Sequence, residues 1–304
     1  MRCPCLKRKR IMMDRFVALD IGGTKIEAML AGSRSQVLRK RFTTGSGRKD
    51  VISNILHAVE DVSSGRKVSA VGIGIAGFLD RNGVMSHSPN IKGIEGVDLG
   101  KVLSRKLDLP VFVLNDSKCF ALSEYHYGVG KGAGNFVGLI WGTGVGSGII
   151  IDGRLVHGGS NLAGEIGHHV LVADGEMCTC GKRGHFEQYV AARALVGAYQ
   201  RFKGSSKAIP PVEIVKKNDS ASRKALDQVA YHMGLGLANV VQFYDPEVIA
   251  LGGGMSNLTM LYPRIRKVMS KNIQGQKVKV LKSKLGDSSG IYGALALAEK
   301  QGRV

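Results

Sequence analysis

Phe16-Val17-Ala18-Leu19-Asp20-Ile21-Gly22-Gly23-Thr24-Lys25-Ile26-Glu27-Ala28-Met29-Leu30 is an apolar run ending in aspartate, a pair of glycines and a second apolar run. That reads as strand, tight turn, strand. The pattern returns about half a chain later. Phe136–Trp141 leads into Gly142-Thr143-Gly144, then into Val145–Ile151 and residues 154–156. Each turn presents backbone N–H groups and a threonine hydroxyl. Two such hairpins predict two related lobes facing a shared cleft.

Working outward, residues 51–62 have helical spacing and residues 68–76 form a buried-strand run. Residues 97–107 are again helical, 111–114 form a strand, and a helix starts at Asp116 and runs to 125. Helices are predicted over about 187–202, 220–243, 258–269 and 290–300, with a strand at 248–251 before Gly252-Gly253-Gly254. Strands alternating with helices mean an α/β architecture with mostly buried sheets.

The chain has 304 residues, 44% of them apolar and 22% charged, the composition of a globular protein and not of a fibrous or disordered one. Its longest uncharged stretch, residues 132–151, holds seven glycines and reads as two strands around a loop, so it is not a membrane span. Net charge is +19, and five of the cations crowd into Arg2, Lys7, Arg8, Lys9 and Arg10. The others are scattered, with no interleaved aromatics. We read a solvated basic surface that favours anionic substrates, and no nucleic-acid or membrane partner. The five cysteines, two of them (Cys3 and Cys5) in the basic head, make no secreted disulfide pattern. No cleavable signal is visible, which points to the cytoplasm. Residues 1–13 read as a basic, disordered head, and a translation start at Met12 or Met13 would make that head an artefact of the gene's assignment. Cys119 reads as packing.

Five segments carry chemistry. In Asp20-Ile21-Gly22-Gly23-Thr24-Lys25 the turn amides suit phosphate oxygens and the carboxylate suits hydrated Mg²⁺, although an ordinary hairpin uses glycines in the same way. Gly142-Thr143-Gly144-Val145-Gly146 is a second phosphate turn. It is neither a Walker A loop nor a dinucleotide fingerprint. Gly252-Gly253-Gly254 closes a strand and opens a helix, where a nucleotide can lie. Asn115-Asp116 sits where a strand meets a helix; the pair suits a cleft carboxylate and equally a helix N-cap. Finally, Cys178, Cys180 and His185 with His168 upstream form a tetrahedral zinc set with no vacancy for a catalytic water. His169 can replace His168, and a free-thiol loop is the other reading. Glu165 and Glu187 are interleaved with these ligands yet unneeded by such a metal.

In this order the segments, with Gly74 to Gly77 and Ser88-Pro89-Asn90, resemble the ROK family of sugar kinases within the actin/hexokinase ATPase superfamily, from about residue 16 to 299. Glu165-Ile166-Gly167-His168 followed by Cys178-Thr179-Cys180-Gly181 is the most specific part. The resemblance implies a two-lobed, ribonuclease H-like fold with the active site between the lobes. Residues 14–117, completed by the last helix from about 290 to 304, would form the small lobe, and 118–289 the large one. It implies ATP-dependent phosphorylation of a hexose 6-hydroxyl, glucose first, with N-acetylmannosamine or N-acetylglucosamine as alternatives. Asp116 matches the catalytic base. Gly77, Asn90, Asn115, Glu165, His168 and Glu187 match the sugar ligands. Asp20 would position Mg²⁺, Gly22, Gly23, Thr24, Lys25, Gly142, Thr143 and Gly144 would hold phosphates, and Gly253 and Gly254 the adenosine side. The family implies structural Zn²⁺ and a homodimer. It usually has a third cysteine where this chain has His185, a competent zinc ligand. The family also includes sugar-responsive DNA-binding regulators, but about fifteen residues ahead of the first hairpin are too few for a helix-turn-helix domain.

Overall fold

The computed structural model describes residues 14–32, 35–300 and 302, so the basic head lies outside the described residues. The first half runs β1 (Arg15–Ile21), β2 (Lys25–Gly32), β3 (Ser35–Thr43), helix α1 (Arg48–Ser63) and β4 (Ala70–Ile75). A short pair, β5 (Phe78–Leu79) and β6 (Met85–His87), then precedes α2 (Leu99–Leu107) and β7 (Val111–Asn115). The sheet order is β3-β2-β1-β4-β7, antiparallel through the first three strands in sequence and parallel across β1, β4 and β7. Every residue of β4 is buried, as a parallel strand covered on both faces should be.

The second half runs α3 (Asp116–His126), β8 (Phe136–Trp141), β9 (Val145–Ile151), β10 (Arg154–Leu155), α4 (Glu187–Val190), α5 (Ala192–Lys203), α6 (Pro211–Lys217) and α7 (Ser220–Tyr244). It closes with β11 (Val248–Gly252), α8 (Tyr262–Ser270), β12 (Lys279–Lys282) and α9 (Ser289–Glu299). The order β10-β9-β8-β11-β12 and its pairings repeat those of the first sheet. Both opening hairpins turn on three residues, 22–24 and 142–144. The two glycine hairpins are therefore topological equivalents. Helices α3 and α9 pack together, α9 against β1 and β4 and α3 against β8 and β9.

The parallel strands deliver their carboxyl ends to the cleft, where ligands bind in open α/β sheets. β1, β4 and β7 end beside Asp20, Gly77 and Asn115-Asp116, while β8 and β11 end beside Gly142 and Gly253. Trp141, Phe136 and Phe186 are fully buried and anchor the second half, each side chain contributing roughly 1.5–3 kcal/mol by burial. No helix among the described residues is long and apolar enough to cross a membrane.

Several elements differ from the sequence reading, which also did not place β5, β6, α6 or β12. The single helix expected over 187–202 is broken at Ala191, whose ψ of 167° is extended. The backbone there bonds elsewhere: Trp141 Nε1 donates to Val190 O at 2.6 Å, and Ala192 N–H donates to Gly142 O at 2.9 Å. β3 was not expected as a strand, because Arg39, Lys40 and Arg41 hide its alternation; charge of that kind suits an edge strand. The helix expected from 258 begins as a 3₁₀ turn (Thr259–Leu261) and becomes α-helical only at Tyr262.

Candidate active site

Two cavities meet at Asp116. The first, about 400 Å³, takes Gly77, Asn90, Asn115 and Asp116 from the first sheet's edge. From the second half it takes Gly142, Thr143, Gly144, Glu165, His168 and Glu187. The second cavity, about 530 Å³, is lined by Asp20, Asp116, Gly253 and Gly254, with Asn257, Ser283 and Lys284. Those last three carried no glycine or motif signal, so the sequence reading missed them. Gly142 to Gly144 line the first cavity and not the second, at its border with Asp116. Gly22 and Lys25 open onto a third cavity with Arg39 and Arg41. Thr24 is exposed at the turn. Gly23 lies against the Asn90 backbone, where an added Cβ would come within 2.6 Å of the carbonyl oxygen.

Local structure explains these placements. Asn115 is the N-cap of α3: its Oδ1 accepts from the N–H of Ser117 at 2.9 Å and of Lys118 at 3.3 Å. Its Nδ2 donates to Gly77 O at 2.8 Å, so the cap also ties β7 to the loop after β4. Both sequence readings of the Asn115-Asp116 pair thus hold, one residue each: Asn115 caps, and the neighbouring carboxylate faces the cleft. Gly253 has φ of +79°, and a Cβ there would lie 2.6 Å from Trp141 O, which explains why glycine joins the two strand ends.

Burial raises the Asp116 carboxyl above the ordinary carboxylate range, against hydrogen bonds from Ser117 that lower it. Asp20 is pushed up to about 6, first by burial and then by the charge of Asp116. Glu165 rises to about 7, mainly by burial, with Lys118 opposing and Asp116 and Glu187 reinforcing. Glu187 moves the other way: burial would raise it, but hydrogen bonding with Cys178 and the charge of Arg193 outweigh that. Arg193 Nη2 lies 2.5 Å from Glu187 Oε1. This partner was invisible in the sequence, because the pairing depends on the break between α4 and α5.

His168, Cys178, Cys180 and His185 converge, with ligand atoms all within 4.8 Å of one another. His168 Nδ1 and His185 Nδ1 are 3.2 Å apart, Cys180 Sγ and His185 Nδ1 3.2 Å, and Cys178 Sγ and His168 Nδ1 3.9 Å. A tetrahedral ion with bonds of about 2.0 Å to nitrogen and 2.3 Å to sulfur spaces its ligands roughly 3.3–3.8 Å apart, so the donor set fits zinc. His169 is turned away: its Nδ1 contacts Ile166 O at 2.7 Å and its Nε2 faces Asn239 at 3.4 Å. The knot is anchored by Phe186, packed so closely on α7 that a Cβ on Gly236 would overlap its ring. His185 and Glu187 flank that anchor and are positioned by it.

The sequence model of the ROK family matches residues 16–301. The chain belongs to the ROK family. An N-acetyl-D-glucosamine kinase of Aliivibrio salmonicida is 33% identical to this ROK chain, over 93% of it and 99% of the relative. The crystal structure of a ROK hexokinase from Thermus thermophilus superposes with a TM-score of 0.86 at 30% identity, covering 94% of this chain and 98% of that one. A ROK glucokinase from Streptomyces griseus, solved with glucose and AMPPNP, superposes with a TM-score of 0.76 at 31% identity, covering 95% and 99%.

Proposed function

We propose that this chain is an ATP-dependent hexose kinase that transfers the γ-phosphoryl group to the sugar 6-hydroxyl, with glucose the preferred substrate and an N-acetylhexosamine the alternative. One observation carries the reading: Asp116 lines both the cavity rich in hydroxyl-binding groups and the cavity that holds Asp20 and the Gly253-Gly254 turn. The similarity to a glucokinase solved with glucose and AMPPNP and to an N-acetyl-D-glucosamine kinase supports the same assignment.

In this mechanism the sugar lies in the first cavity. Asn90, Asn115, Glu165 and Glu187 meet its hydroxyls, each carboxylate accepting and each amide donating. Asn115 already uses one N–H on Gly77 O, which leaves its second N–H for substrate. ATP lies in the second cavity, with Gly253 and Gly254 admitting the nucleotide and the hairpin amides near Gly22 and Gly142 meeting phosphate oxygens. Asp116 takes the 6-hydroxyl proton as the oxygen attacks the γ-phosphorus and the bond to the β-phosphate oxygen breaks. ADP and the sugar 6-phosphate result, and the proton remains on Asp116. A general base of this kind is worth roughly 10²–10⁴ in rate, the rest coming from positioning and charge neutralisation. Its raised affinity for a proton suits it to the task.

Asp20 would hold Mg²⁺, which supplies charge neutralisation on the phosphates. His168, Cys178, Cys180 and His185 would hold Zn²⁺, which supplies rigidity to the loop bearing the sugar ligands. His168 enters that cluster through Nδ1, so its Nε2 has a fixed direction for a sugar hydroxyl. We assign residues 14–117 with α9 to the small lobe and 118–289 to the large lobe, because α9 packs on β1 and β4.

The test is ADP release coupled to oxidation of NADH across glucose, N-acetylglucosamine, N-acetylmannosamine, mannose and fructose. Glucose-dependent release with the highest kcat/KM is expected. No sugar-dependent release from any of the five would overturn the proposal.

A further inference from the structure

Lys118 is 2% exposed, a buried ammonium two residues after the proposed base. Burying a charge is costly unless it is hydrogen-bonded, so its partners define its role. They are Asn161 O at 2.8 Å and Asn161 Oδ1 at 3.0 Å. Asn161 stands at φ +60°, a left-handed conformation that asparagine tolerates better than most residues. Its amide nitrogen then crosses the cleft: Nδ2 donates to Leu79 O at 3.0 Å, with Asp80 O at 3.4 Å.

A closed ring of contacts results. From the first turn of α3, Asn115 holds Gly77 directly. From the same turn, Lys118 holds Leu79 through Asn161. Between those two tethers lie Gly77 and Phe78, which form a wall of the sugar cavity. Gly77 has little room to move, since an added Cβ would lie 2.7 Å from Met85 Sδ and 2.8 Å from His87 O. Phe78 stacks on His87, with ring planes 11° apart.

We propose that the Lys118–Asn161 pair is a positioning element that fixes the Gly77-Phe78 wall and thereby sets which ring substituent the sugar cavity admits. Neither residue needs to touch the substrate. The pair belongs to this chain's own side-chain arrangement: a helix that carries the base also gauges the cavity opposite it, so that pocket size and base position cannot drift independently. The inference rests on the hexose-kinase reading.

The experiment compares wild type, Lys118→Met, Asn161→Gly and the double variant with glucose and N-acetylglucosamine, by steady-state kinetics and by calorimetric sugar binding. Asn161→Gly is the variant that keeps the fold, because glycine suits a positive φ. In both single variants the KM and Kd for glucose should rise about fivefold, the scale of a lost buried hydrogen bond, with kcat within about twofold and the KM for ATP unchanged. Preference for glucose over the bulkier N-acetyl sugar should fall by a similar factor. The double variant should be no worse than the poorer single one, since the two residues act as one tether. Unchanged sugar KM, Kd and selectivity, or additive losses in the double variant, would overturn the inference. If wild type bound these sugars but phosphorylated none of the five named above, the kinase reading would fail while the calorimetric arm still decided the tether.

Discussion

Asp116→Asn is the most discriminating substitution in this chain. It is nearly isosteric and removes one negative charge and one proton acceptor. Asn115 still caps α3, because its contacts with the N–H groups of Ser117 and Lys118 and with Gly77 O do not involve the Asp116 side chain. The contact between Ser117 N–H and Asp116 Oδ1, 2.7 Å long, can be made by an amide oxygen as well. The sugar and nucleotide cavities therefore persist, and only proton transfer is lost. A positioned general base contributes roughly 10²–10⁴, or about 3–5 kcal/mol in transition-state stabilisation. We expect kcat to fall within that range, with calorimetric Kd values for glucose and for ATP within about threefold of wild type. A second signature follows from charge: Asp20, pushed up to about 6 partly by Asp116, should titrate lower in the variant. Turnover above about a tenth of wild type would refute the base assignment.

The zinc reading predicts about one equivalent of zinc by elemental analysis of purified protein, largely lost in Cys178→Ser together with a raised sugar KM, and retained in His185→Cys; less than about half an equivalent in wild type would sink it. Gly290→Ala should impair Mg²⁺-dependent ATP binding with little effect on sugar affinity, because a Cβ there would overlap the Asp20 carboxylate; unchanged calorimetric affinity for Mg·ATP would count against Asp20 as the ion's ligand. Asp20 is raised from 3.8 to about 6, so the folded state holds that proton more tightly than the unfolded chain. The stabilisation this gives is present at low pH and is lost as pH rises from about 4 to 6. Urea unfolding of metal-free wild type against Asp20→Asn should show wild type losing relative stability across that window, and a difference that stays flat with pH would reject the shift.

The two glycine hairpins, the strand ends that carry Asp20 and Asp116, and the His-Cys cluster were legible in the sequence because their signals are local. Alternation of period two, paired glycines and short ligand spacings each depend on neighbours along the chain. The repeat of the sheet order, by contrast, needed strands 3 and 12, which are too charged or too short to show a pattern. The placement of His168 rather than His169 in the His-Cys cluster depended on Asn239, a residue of α7. The break at Ala191 depended on Trp141 and Gly142, which draw the backbone groups of Val190 and Ala192 out of the helix. Arg193 against Glu187, and Lys118 bound to Asn161 and through it to Leu79, join residues from separate elements, and no spacing rule announces them. Residue types and local turns thus determined which chemistry the chain carries. Tertiary packing decided which charges are buried together, and burial and proximity are what set a carboxylate's proton affinity and a side chain's direction.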